Sequence, residues 1–302
     1  MIDIKELLKA GVHFGHKTCK WSPKMAPFIW GAKNKIHLID ISKTAILLQR
    51  SADFLKQVTS EGKLVLWVGT KKAAQKTIIS TAAELKMPYV VHRWVGGTLS
   101  NFSEIKKAIT RLLHLRDALN KSASRFTKKE ASVIQKEIAR LEKNVGGILN
   151  LTSKPGAVVV IDAQKERAAI KEALSLGIPV VAMIDTNTDP AGINFVIPAN
   201  DDATKSIDVI INYLGQAVKA GHEEYELNNQ AKIEESRAKS KKATTPVETV
   251  AVEVAAAPTI DENLQKELIQ AGIIGDEDES SKERKKTTRP TAPVRKRTTS
   301  KG

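Results

Sequence analysis

The sequence predicts an α/β fold built on a parallel sheet with helices on both faces. Three observations carry that expectation. KLVLWVG (63–69), AVVVID (157–162) and IPVVAMID (178–185) are short, nearly continuous apolar runs, as expected of strands buried on both faces. The stretches between them have helical apolar spacing rather than hairpin turns. The chain has 302 residues, 41% of them hydrophobic, enough for a large core in one or two domains.

Taken in order, residues 3–10 (DIKELLKA) read as a short helix capped by Asp3 and stopped at Gly11. Residues 11–35, rich in Gly, Pro, Lys and Trp, read as an extended basic loop. IHLID (36–40) is a short strand. Ser42 then caps a helix reaching about residue 60, with Ile46, Leu47, Phe54 and Val58 on its stripe. The strand over 63–69 is followed by a helix over 72–86, which Met87-Pro88 ends, and by the strand YVV (89–91). After 157–162 comes a helix over 164–176, stopped by Gly177, and then the strand 178–185. FVIP (195–198) is a shorter strand. The last long helix starts near Asp202 and aligns Ile207, Ile210, Ile211, Leu214 and Val218.

Residues 101–147 break the alternation. Ile105, Ile109, Leu112 and Leu119 mark one helical stripe, and Ile134, Ile138, Leu141 and Val145 a second, with Ser122, Ser124 and Thr127 between. Neither helix hides its stripe alone, so an inserted antiparallel hairpin is expected. It carries eleven Lys/Arg against five Asp/Glu. The expected organisation is therefore 1–100 with 148–228 as the α/β body, 101–147 as the hairpin, and 229–302 as an extension. That extension holds KSKKATTP and ends in KERKKTTRPTAPVRKRTTSKG. Its composition predicts disorder, apart from a helix-like piece at 260–273, and its basic end suits nucleic acid.

Forty-eight Lys/Arg against 34 Asp/Glu give a net charge of +14, which points to a polyanionic partner. No apolar run approaches the roughly 18–20 residues of a membrane span. The N-terminus lacks secretory or transit character, and one cysteine makes no internal disulfide. A reducing, cytoplasmic setting is expected.

Enzyme chemistry has two footholds. Gly69-Thr-Lys71-Lys72 follows a strand and precedes a helix, where free N–H groups can hold a phosphate, but the spacing is not that of a phosphate loop. Asp162, Asp185 and Asp189 follow adjacent strands and could hold Mg²⁺ in a phosphohydrolase or nucleotide-binding enzyme. The simpler reading makes Asp162 a helix cap and residues 185–190 an Asx-rich turn. No nucleophile elbow is present.

His13, His16 and Cys19 are spaced His-x-x-His-x-x-Cys. They are the candidate metal ligands, but a structural zinc site needs a fourth ligand, so no cofactor is expected. The same region mixes Lys17, Lys20, Lys24, Lys33 and Lys35 with Trp21, Phe28 and Trp30. Lysines contact phosphates and release counterions, and aromatic rings stack on unpaired bases. HRWVGGTLSNF (92–102) is a second candidate. Gly96-Gly97 permits close backbone approach. Arg93, Thr98, Ser100 and Asn101 suit phosphate and 2′-hydroxyl groups. Ser100 or Asn101 also caps the first hairpin helix. Lys71, Lys72, Trp94, Lys106 and Arg111 complete the expected RNA-binding set.

Four ordered stretches resemble one family: LLKAGVHFGHKTCKWSPKMAPFIWGAKNKIHLIDISKT (7–44), RWVGGTLSNF (93–102), AVVVIDAQKERAAIKEALSLGIPVVAMIDTNTDP (157–190) and IPANDDATKSI (197–207). The chain resembles bacterial-type small-subunit ribosomal protein S-two. That resemblance implies a flavodoxin-like body with a coiled-coil hairpin and no catalysis. It implies a place between head and body of the small subunit, on small-subunit ribosomal RNA among neighbouring ribosomal proteins. It also implies a part in docking ribosomal protein S-one for translation. No membrane and no small-molecule substrate are expected.

Overall fold

The structure, a computed structural model, describes residues 3–121 and 126–242, with side chains through residue 230. The expectations for 260–273 and for the basic end lie outside the described residues.

The body is a five-stranded parallel sheet. Along the chain its strands are β4 (Val65–Val68), β5 (Tyr89–Val90), β6 (Ala157–Ile161), β7 (Val180–Ile184) and β8 (Phe195–Pro198). Their spatial order is β5-β4-β6-β7-β8, every neighbouring pair parallel. This is the doubly wound, flavodoxin-like order, in which the chain reverses direction between the first and third strands.

Strand pleating sends alternate side chains to opposite faces, and both faces are apolar here. Val65, Trp67, Val159, Ile161, Val181 and Met183 point into one core. Leu66, Val68, Val158, Val160, Val180, Ala182 and Ile184 point into the other. The first core is covered by α2 (Ile41–Ser60), α3 (Lys72–Leu85) and α7 (Thr204–Lys242). The stripe expected on α7 is fully buried there, from Ile207 at 0% exposed to Val218 at 0%. Each such side chain contributes on the order of 1.5–3 kcal/mol. The second core receives α6 (Arg167–Ser175) together with α4 (Phe102–Lys121) and α5 (Lys128–Val145).

Helices α4 and α5 are the two expected over 101–147. Ile105, Leu112, Ile138 and Val145 are buried in the second core, and Ile109, Leu119, Ile134 and Leu141 pack against it. The seam therefore continues into the sheet domain. Thr127 opens α5 with a capping box, accepting from the Glu130 N–H while the Glu130 carboxylate accepts from the Thr127 N–H.

Three local expectations are corrected. The helix α2 is capped by Asp40, whose Oδ1 accepts from the Ser42 N–H at 3.1 Å; the carboxylate two residues earlier takes the place assigned to Ser42. The helix α6 starts at Arg167 rather than at residue 164. Asp162 sits at φ 66° and opens a turn, its Oδ1 accepting from the Lys165 N–H at 3.1 Å. At the far end, α7 continues to Lys242, past the composition change at 228.

The largest correction concerns residues 11–35. After α1 (Ile4–Lys9), the chain forms β1 (Phe14–Lys17), a 3-10 segment over Pro23–Phe28, and β2 (Ile29–Lys33). With β3 (Ile36–Ile39) these make an antiparallel sheet in the order β1-β3-β2. The two-residue link from β2 to β3, Asn34-Lys35, has φ 54° and 61°, the conformation of a type I′ hairpin turn.

Candidate functional site

Two charged regions stand out, and they are built differently. The first lies at the carboxyl ends of the parallel strands, where doubly wound folds bind ligands. Asp162 follows β6, Asp185 follows β7, and Asp201 and Asp202 follow β8. Lys71, after β4, places its ammonium 2.8 Å from Asp201, 2.6 Å from Asp202 and 3.6 Å from Asp162. His16 reaches in from β1, with Nδ1 2.8 Å from Asp185 and Nε2 3.5 Å from Asp202.

The small sheet is latched over this end by backbone contacts. The His16 N–H donates to Thr186 Oγ1 at 3.0 Å. The Ser22 N–H donates to the Thr186 carbonyl at 2.8 Å, and the Asn200 N–H to the Val12 carbonyl at 3.1 Å. Gly15 allows the approach, since a Cβ there would lie 2.7 Å from the Thr186 side chain.

Burial sets the protonation. Asp201, 1% exposed, has its carboxyl pushed up to about 6, chiefly by desolvation, against the hydrogen bond from Lys71. Burial opposes the Lys71 ammonium, but its hydrogen bonds to Asp201 and Asp202 outweigh that and raise its pKa. The hydrogen bond to Asp185 raises His16 above 6.5, partly offset by burial.

His16, Asp185, Asp201 and Asp202 offer ligand atoms that all lie within 4.8 Å of one another. One imidazole with three carboxylates suits a divalent cation, which would compete with the Lys71 ammonium for Asp201 and Asp202. This group differs from both sets foreseen in the sequence. His13 packs at a tilt against Phe14 with centroids 4.0 Å apart, and Cys19 is exposed, so among the described residues His13-His16-Cys19 does not assemble. Asp189 pairs instead with Lys24 at 2.7 Å, so Asp162-Asp185-Asp189 does not assemble either. Asp201 and Asp202 were missed because they read as the start of a helix.

The nearby phosphate position is filled from within. At the switch point between β4 and β6, Glu166 is 3% exposed. Its Oε1 accepts from the Thr70 N–H at 3.0 Å and from the Thr70 hydroxyl. A carboxylate thus takes the donors that a bound phosphate would use.

The second region is basic and open. Lys17, Lys20, Trp21, Lys33 and Lys35 are exposed on the small sheet and its turns, as is Trp30 at 76%. Lys24 is exposed but paired with Asp189. Lys72, Arg93, Asn101, Lys106 and Arg111 are exposed as well. Lys106 sits over the Phe102 ring at 5.1 Å, and Arg111 pairs with Glu137 at 2.6 Å.

Three residues of the expected RNA set are turned inward. Lys71 is occupied by carboxylates. Trp94, 8% exposed, donates Nε1–H to Glu172 at 3.1 Å. Thr98, 1% exposed, donates its hydroxyl to the Val95 carbonyl at 2.6 Å. Their side chains hold the loop rather than face a partner. The organiser is Glu172 on α6, which accepts from the N–H groups of Gly97 at 2.8 Å, Leu99 at 3.1 Å and Ser100 at 3.4 Å. These bonds outweigh burial and lower its pKa. Glu172 carries no sequence signal, because a glutamate on an amphipathic helix reads as solvent-facing.

The description of the family whose model matches residues 7–221 is Ribosomal protein S2. Among similar proteins, small ribosomal subunit protein uS2 of Cytophaga hutchinsonii is 46% identical over 249 residues, covering 82% of this chain and 98% of that protein. The uS2 protein of Phocaeicola vulgatus is 48% identical over 219 residues, covering 72% and 78%. That of Micrococcus luteus is 43% identical over 223 residues, covering 73% and 78%. The chain belongs to the Ribosomal protein S2 family and is a structural member of it, not an enzyme. Among the described residues, no helix is long and apolar enough to cross a membrane.

Proposed function

We propose that this member of the family is a structural constituent of the small ribosomal subunit in the cytoplasm, held there by small-subunit ribosomal RNA between head and body. The observation that carries the reading is the open basic face of the small sheet. Lys17, Lys20, Lys33 and Lys35 stand exposed beside Trp21 and Trp30 on a scaffold latched to the body. Cations there contact phosphates, and rings stack on bases or cover sugars. Arg93 and Asn101 on the Glu172-held loop, with Lys72, Lys106 and Arg111, extend the surface.

The acidic cluster takes no phosphate in this reading. It anchors the small sheet through His16 and the strand ends through Lys71. Docking of ribosomal protein S-one is the finer part of the proposal. Trp30, 76% exposed, supplies apolar area that a protein partner would cover.

Sedimentation of a lysate tests the reading. The chain is expected to travel with small subunits and to stay with them in moderate salt. A chain that remains at the top of the gradient contradicts it. S-one should be under-represented on subunits carrying Trp30→Ala; unchanged S-one removes that part alone.

A further inference from the structure

The loop from Arg93 to Asn101 is fixed from inside and bare outside. Trp94, Thr98 and Leu99 are buried, and Glu172 gathers one indole and three backbone donors beneath them. Arg93, Gly96, Ser100 and Asn101 face outward, all exposed. Of these, Gly96 has no reason among the described residues to be glycine. A Cβ built there meets nothing within 4 Å, and its φ lies outside the left-handed region.

Neighbouring Gly97 is the opposite case. Its φ is +91°, and a Cβ would lie 3.3 Å from that of Asn101, so the loop itself requires it. Gly31 is also open and has no left-handed φ, but it lies on the small sheet, where the β2–β3 register shifts, and not on this loop. A glycine that serves neither backbone nor packing still costs conformational entropy on folding. What Gly96 provides is clearance, one methyl group deep, on a loop that also exposes a guanidinium, a hydroxyl and an amide.

We infer that Gly96 is a close-approach point for the sugar–phosphate backbone of RNA, on a loop held in form by Glu172. The inference rests on the RNA-binding reading above and names where the strand comes nearest. A methyl group at that point overpacks the interface, while the free protein has room for the same group.

The test compares Gly96→Ala, Gly96→Val and Gly97→Ala in the full chain. Each is co-expressed with tagged wild type, its share in purified small subunits is measured, and its affinity for protein-free small-subunit RNA and its melting temperature are determined. Gly96→Ala should keep or slightly raise the melting temperature. It should lose about fivefold or more in RNA affinity and subunit share, with Gly96→Val losing more. Gly97→Ala should instead lower the melting temperature. Wild-type RNA affinity and subunit share in both Gly96 variants overturn the inference while leaving the RNA reading intact. So does a reduced subunit share at unchanged RNA affinity, because the close neighbour is then a protein. A lower melting temperature in Gly96→Ala also overturns it, by showing a need within the fold. If wild type itself neither binds the RNA nor enters subunits, the RNA-binding reading fails and the inference falls with it.

Discussion

The carboxyl-end cluster and the small basic sheet share one residue, His16, yet they use charge in opposite ways. In the cluster the charged side chains pair with one another, although Asp201 Oδ2 stays buried without a hydrogen-bond partner among the described residues. Lys71 meets three aspartates, Glu166 meets Thr70, and His16 meets Asp185. On the sheet Lys17, Lys20, Lys33 and Lys35 stand in solvent. A fold that normally binds ligands at its strand ends has here filled that place with its own side chains. Basic side chains without an ion pair among the described residues stand open on the added sheet and on the loop that carries Arg93. Net charge alone hides this division.

The sharpest way to break the contrast is Lys71→Met. Removing the ammonium leaves buried carboxylates unpaired, and stability at neutral pH should fall by about 3 kcal/mol, read by denaturant unfolding in chelator. Part of the loss should return as pH drops, because without Lys71 the Asp201 carboxyl takes up its proton above the value of about 6 that it has beside the ammonium. A neutral effect would mean the cluster is not an internal lock.

Next in size is Glu172→Gln. It removes the charge from a group serving four donors and should cost about 1–2 kcal/mol. RNA affinity should weaken in parallel, because the loop loosens.

A smaller effect follows from pH. The Asp201 carboxyl is raised to about 6 in the fold, so the native state holds a proton that the unfolded chain has released, and stability declines as pH rises from about 4 to 6. The His16 imidazole is raised above 6.5. Its contribution is full below 6.5 and fades as pH rises through the folded value. His16→Gln should flatten the wild-type decline above pH 6.5. An identical pH profile in the variant would refute the assignment.

The smallest stability effect belongs to the basic face. Lys33→Glu, Lys35→Glu and Arg93→Glu should each change stability by less than about 0.5 kcal/mol. Their effect should appear only in binding.

The contrast also explains what the sequence could tell. The parallel strands were legible because each is a short, unbroken apolar run, and α7 because its isoleucines repeat at helical spacing. Of the small sheet only β3 was legible, as IHLID; β1 and β2 were not, because they are short and half exposed, and β2 is interrupted by Gly31. Its type I′ turn is Asn-Lys rather than the stronger Asn-Gly. The acidic cluster collects residues from four strand ends and β1, which only the fold brings together. Lys71, Trp94 and Thr98 had the right chemistry for RNA but the wrong direction, and direction is set by burial.

The most direct measurement is the salt dependence of binding to small-subunit RNA, comparing wild type with the combined Lys33→Glu, Lys35→Glu, Arg93→Glu variant. If these cations neutralise phosphates, the variant binds more weakly, and its log–log slope is shallower by roughly 0.7–0.9 for each phosphate left without its cation. Its unfolding curve should match that of wild type. The same affinity and slope in both proteins would contradict the assignment of the open basic face to RNA.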